Sequence, residues 1–199
     1  MSSFYSGVMI RNAGYFYIHL KAIKGRRFFD YNDDRAFFLL QIQELLSHRG
    51  LLSPEQYPLR FPLAIDLLAF SVLPSGVRLL MYSLDRESAN YFIQDLLGRF
   101  RLHLRQHQAY ALPKKTPSPQ LKKLRGVHHA LAMTAYIHTR HEQLSETPYS
   151  SLGFYLYDRR GDWMRIWRLT RLYKNNPGTY LDYVVRSQQS RFTETSARG

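Results

Sequence analysis

The chain has 199 residues, 45% of them hydrophobic, enough for one substantial core with appendages. Its 28 Lys and Arg against 15 Asp and Glu leave a formal net charge of +13, which implies a polyanionic partner. With no cysteine, disulfides and thiolate metal sites are excluded. No apolar run approaches the roughly 20 residues of a membrane span, and MSSFYSGVMIRNAG lacks a charged n-region followed by an apolar stretch. The expectation is therefore a cytoplasmic, nucleoid-associated protein that binds nucleic acid and not membrane, since no amphipathic terminal helix or lipidation signal supports a lipid surface.

Tyr15 to Leu20 alternates, with Phe16, Ile18 and Leu20 on one face and Tyr15, Tyr17 and His19 on the other, which predicts a strand. From Asp34 the pattern Phe37, Phe38, Ile42, Leu45, Leu46 predicts a helix closed near Gly50. A Pro-rich loop from Leu51 to Pro62 leads to a second strand near Leu63 to Phe70. A turn over Val72 to Gly76 then gives a return strand from Gly76 to about Tyr82. Period two places Gly76, Arg78, Leu80 and Tyr82 on one face of it.

A long helix is predicted from Asp85, with Ala89, Phe92, Ile93, Leu96, Leu97, Phe100 and Leu104 at helical spacing. Its C-terminal half carries Arg99, Arg101, His103, Arg105 and His107; without an accompanying Glu or Cys, HLRQH reads as a solvated basic face and not as a metal site. PKKTPSPQ, residues 113 to 120, is a basic connection, and Leu121 to Val127 reads as a short basic strand. A helix over His129 to Arg140 follows. Trp163, Ile166, Trp167, Thr170 and Tyr173 fall on one helical stripe that packing explains better than base stacking, and Asn176-Pro177 reads as an N-cap followed by proline at the first helical position.

Several colinear stretches resemble the single-tyrosine HUH transposases of bacteria, in particular the REP-associated tyrosine transposases. They are Leu73-Pro74-Ser75-Gly76-Val77-Arg78-Leu79-Leu80, Leu97-Gly98-Arg99, Tyr136-Ile137, and Pro148-Tyr149-Ser150-Ser151, where Thr147 replaces the family's tryptophan. Tyr180, Leu181, Val184 and Val185 resemble its closing helix, so the resemblance runs from about Ala13 to Arg186. In that family the second hairpin strand reads Met-Pro-Asn-His-hydrophobic-His-Leu-Leu, and its two histidines hold a divalent metal. The matching positions here are Gly76 and Arg78. Tyr136 falls on the family's catalytic tyrosine, which attacks a DNA phosphorus. Arg140 falls on the Asn or Gln that completes the metal site, and His141 stands where the family has proline.

Gly, Arg and Arg offer no metal donor, so the resemblance implies a transposase-like scaffold without its metal, no cofactor, and Tyr136 as a vestige of the catalytic residue. The implied fold is α+β: a ferredoxin-like or RRM-like antiparallel sheet with helices on one face. Residues 1–146 would form the DNA-binding domain, 147–187 a helical extension packed on it, and 188–199 a disordered tail. The expected function is binding of single-stranded, hairpin or repeat DNA by a catalytically inactive relative acting as a regulator or architectural factor. Active nicking through Tyr136 and a protein-interaction module on the same fold are the alternatives. Expected phosphate contacts are Arg78, Arg140, Arg99, Lys114, Lys115, Lys122, Lys123 and Arg125, with Tyr17 and Tyr136 for stacking. The family does not decide between monomer and homodimer.

Overall fold

The computed structural model describes residues 13–22, 27–47, 64–107, 119–140, 147–157, 159 and 161–196, with side chains as far as residue 189. Strand β1 (Gly14–Lys21) leads to helix α1 (Asn32–Ser47). The hairpin of β2 (Ile65–Leu73) and β3 (Gly76–Ser83) follows, then α2 (Arg86–His107) and β4 (Gln120–Lys123). The strands form one antiparallel sheet in the order β2-β3-β1-β4.

The alternation of β1 decides its two faces. Phe16, Ile18 and Leu20 are sealed from solvent together with Val77, Leu79 and Met81 of β3, and α1 and α2 cover them. Asp33 and Asp34 in the first turn of α1 suit its dipole, and its Phe38, Leu39, Ile42, Leu45 and Leu46 face the sheet. Asp85 caps α2 by accepting the Ser88 backbone N–H at 2.6 Å. Phe28, Phe29, Phe38 and Phe100 close this core with mostly edge-to-face rings 4.7–6.1 Å apart.

The β2–β3 turn is only Pro74-Ser75, so β2 extends to Leu73, three residues beyond the expected end. β2 also carries a bulge between Leu67 and Ala69. The extra residue shifts its parity: Ile65 and Leu67, then Phe70 and Val72, face α1 and α2, while Leu68 and Ala69 face the other way.

The opposite face of the sheet is also covered. Helix α3 (Val127–His138) packs Ala130 and Ile137 against Leu68, Ala69 and Leu80. This corrects the expectation of helices on one face only. The reason is local: α3 also buries Ala135, with Leu131 beside it, against Leu152, Tyr155, Tyr173, Tyr180 and Val184. A helix apolar on both sides must lie between two layers.

The second layer comes from the C-terminal segments α4 (Leu152–Leu156), α5 (Trp167–Thr170), a 3-10 turn (Arg171–Tyr173) and α6 (Pro177–Ser196). The Pro-Tyr-Ser-Ser turn acts as an edge for β2. Tyr149 C=O accepts the Val72 N–H at 2.8 Å, Ser151 Oγ accepts the Phe70 N–H at 2.8 Å, and Ser150 bridges Ser71. Asn176 Oδ1 caps α6 through the Thr179 N–H at 3.2 Å, as the sequence leads one to expect. The expected Trp163–Tyr173 stripe is not one helix: Trp163 lies in the turn before the Leu67–Met164 bridge, and helical structure starts at Trp167. Nor does a tail begin at residue 188, since α6 continues to Ser196. Among the described residues, no helix is long and apolar enough to cross a membrane.

Candidate nucleic-acid interface

On the α3 side of the sheet the strands present polar and aromatic side chains in register. His19 lies between Arg78 on β3 and Gln120 on β4, Tyr17 lies between Leu80 and Lys122, and Tyr15 lies opposite Tyr82. Helix α3 delivers Tyr136 to the Tyr17 end of this row, with ring centroids 6.2 Å apart and edge to face. The helix ends at His138, and a tightened turn, Arg140 N–H to Ile137 C=O at 3.3 Å, brings the Arg140 guanidinium 4.2 Å above the Tyr136 ring.

Arg78 and Arg140 thus both act on Tyr17 and His19. Burial, followed by Tyr136, pushes the Tyr17 phenol up, against the opposing fields of Arg78, which hydrogen-bonds it, and Arg140. Burial, then Arg78, Lys21 and Arg140, pulls His19 below its ordinary value of 6.5. The Arg78 Nε and Nη1 are shielded from solvent and have no acceptor among the described residues. Among the described residues, no carboxylate pairs with Arg78 or Arg140. Unpaired buried guanidinium nitrogens are uncommon in folded proteins because they lose water without a replacement.

Gly76, the other position where the resemblance would place a metal-binding histidine, has φ of 150°, and a Cβ there would sit 2.2 Å from the Leu20 carbonyl oxygen. The β3 backbone approaches β1 too closely at this point for any side chain. No histidine fits without moving the strand.

The other expected contacts are dispersed. Lys122 is exposed on the same face as Tyr17, and Arg125 is exposed in the turn before α3. Lys123 belongs to the opposite face, its Nζ 5.9 Å over the Phe16 ring. Arg99 also lies away from the cluster, between α1 and α2, bonded to Asp95 at 3.4 Å and Gln41 at 3.2 Å with Glu44 at 3.9 Å. Nearby His103 pairs with Asp34 at 3.1 Å and stacks on Phe37 at 3.9 Å, a packing role. Lys114 and Lys115 lie outside the described residues.

The sequence reading missed His19, whose only signal was its place beside Tyr17 in the strand alternation. It gave His138 no role, and it placed Trp167 in a packed stripe together with Trp163. Trp167 is 50% exposed, with the Arg168 and Arg171 guanidinium carbons 4.6 and 5.7 Å from its ring centroid, whereas Trp163 is buried. Arg168 is held by Asp66 at 2.7 Å and lies 3.9 Å over Tyr82. His138 is buried, with Nδ1 at 2.6 Å from Tyr180 Oη and Nε2 at 2.7 Å from Ser151 Oγ. It ties α3 to α6 and, through Ser151, to β2. Burial raises Tyr180 and Tyr155 well above the ordinary phenol range, so both hydroxyls stay protonated in this layer.

No protein-family model matches the chain, and no curated protein and no solved structure matches it. The chemistry of the site therefore rests on its own residues. Two cations flank two phenol rings, an arrangement suited to an oxyanion with a flat group beside it. At Gly76, Arg78 and Arg140 no side chain can donate to a metal.

Proposed function

We propose that this chain is a catalytically inactive relative of the single-tyrosine transposases, on a ferredoxin-like, HUH-type scaffold, that binds hairpin or repeat DNA as a regulator or architectural factor. The observation that carries the reading is the pair Arg78 and Arg140, which bear on Tyr17 and His19 with no carboxylate partner among the described residues. Arg78 supplies donors without acceptors, and phosphate oxygens are acceptors of the right charge. Tyr136 and Tyr17 offer ring faces and edges to an unpaired base, and exposed Lys122 and Arg125 extend the positive charge toward β4. The net charge of +13 supplies the long-range attraction.

The strand order and the βαββαβ succession are compatible with this scaffold, and the Pro-Tyr-Ser-Ser turn has a definite place in the fold, as the edge of β2. Cutting is disfavoured chemically: a tyrosine hydroxyl beside two fixed cations lacks the metal that would orient a scissile phosphate.

The test is a salt titration of binding to a fluorescent DNA hairpin with an unpaired loop, against a duplex of the same length. Affinity should fall steeply, with a log–log slope of about −0.7 per phosphate contacted on the unpaired strand. The hairpin should compete better than the duplex. Affinity indifferent to salt would overturn the reading. A covalent adduct with the oligonucleotide, lost in Tyr136→Phe, would overturn the inactive part of it.

A further inference from the structure

His19 stands at the centre of the cationic cluster without being one of its cations. β3 presents Arg78 directly opposite it, β1 itself contributes Lys21 and the Tyr17 ring at 6.3 Å, and β4 contributes the uncharged Gln120. From the end of α3, Arg140 bears on it as well. No described carboxylate is among the groups acting on the ring. An imidazole in such a place has every reason to stay neutral while the site is empty of anions.

We propose that His19 is the proton-accepting member of a phosphate subsite: when the Arg78–Arg140 cluster takes one phosphodiester group of DNA, His19 takes up a proton. This deepens the DNA-binding reading and rests on it. The physical ground is the charge balance of the cluster. A phosphodiester stays anionic over the whole working range of pH, and placed against Arg78 it brings a negative charge beside a ring on which, among the described residues, the acting charges are cations. The protonated ring also gains a second N–H donor, which a phosphate oxygen can accept.

Linkage fixes the sign. In the free protein His19 lies below 6.5, pulled down first by burial and then by Arg78, Lys21 and Arg140. A bound phosphate raises it. Proton uptake on binding means that affinity increases as pH falls through the bound value and levels off below the free value. One proton per complex gives at most about tenfold in affinity per pH unit.

The experiment is hairpin affinity from pH 8.5 to 5.5 at constant ionic strength, for the wild type, His19→Gln and a His128→Gln/His129→Gln control. The control removes two exposed histidines at the start of α3. The wild type and the control should gain affinity toward acid with the same slope, and His19→Gln should be nearly flat. A second measurement, the NMR titration of the His19 ring with and without hairpin in the wild type, does not depend on how well the variant folds. There the midpoint should move up on binding. An unchanged slope in His19→Gln, or a ring midpoint that does not rise, overturns the proposal while leaving DNA binding intact. Absence of hairpin binding at every pH overturns both.

Discussion

The two faces of the sheet handle the same chemical problem in opposite ways. Under α1 and α2, Arg99 is held by Asp95 with Glu44 nearby, and His103 by Asp34, above a core of phenylalanines. Under α3, no carboxylate pairs with Arg78 or Arg140 among the described residues, and the groups that act on His19 are Arg78, Lys21 and Arg140. One sheet thus has a side where ion pairs form and a side whose Arg78 and Arg140 have no carboxylate partner among the described residues. Proteins retain such electrostatic strain where a ligand relieves it. The difference marks the α3 side as the place for the anionic partner proposed above, and it can be broken at either face.

The largest effect belongs to the folding face. Phe38 is fully buried and meets Phe28, Phe29 and Phe100 edge to face. Phe38→Ala should lower unfolding free energy by about 3–5 kcal/mol in urea titrations. The fraction that remains folded should bind hairpin DNA with wild-type affinity, because the substitution lies on the other side of the sheet. A matched loss of affinity would mean that the faces are not independent.

Next comes Gly76→His, which restores the family's residue in name only. With φ of 150° and the Leu20 carbonyl 2.2 Å from a Cβ, the variant should be destabilised by about 2–4 kcal/mol. Calorimetry with Mn2+ or Zn2+ should detect no new binding. Stable folding with a regained metal would show that the β1–β3 spacing is softer than its geometry implies.

Much of this contrast was legible in the sequence, though unevenly. The period-two pattern of β1 and β3 put Arg78 with Leu80 and Tyr82, and Tyr17 with His19, on one face before any coordinates, and both strands obey it. β2 does not, because a bulge leaves no mark on a run as uniformly apolar as Leu67-Leu68-Ala69-Phe70. The position of α3 was readable in principle: Ala130 and Ile137 on one side and Leu131 and Ala135 on another call for two covering layers, yet the expectation kept all helices on one face. Asp95, one turn before Arg99 on the same helix, was in reach, but the partners Gln41 and Glu44 were not, since they come from a helix over 50 residues away in sequence. Gly76 read as a lost ligand; only the backbone reveals that it is also a required glycine.

At the α3 face the sign of the stability change should reverse. Arg78 holds a charge whose Nε and Nη1 are shielded from solvent with no acceptor among the described residues, so replacing it by an apolar side chain of similar length removes an unfavourable term. Arg78→Met should raise unfolding free energy by about 1–3 kcal/mol. It should also weaken hairpin binding by about tenfold or more. A loss of stability instead would indicate that the guanidinium is satisfied in solution, and the argument for an anion at this place would lose its physical basis.

Arg99 gives the smallest effect and the sharpest contrast. Sequence alone grouped it with Arg78 as a phosphate contact, but its carboxylate partners are already in place and its side chain is one-third exposed. Partly exposed ion pairs of this kind contribute less than about 1 kcal/mol. Arg99→Met should therefore lower stability by no more than that, in the direction opposite to Arg78→Met, because here a satisfied charge is removed and its partners are left behind. Hairpin affinity should change only through the loss of one unit of net charge, a small effect that vanishes at high salt as screening removes the long-range term. A tenfold loss of affinity that persists at high salt would put the α1–α2 face in contact with DNA and dissolve the division between the two sides of the sheet.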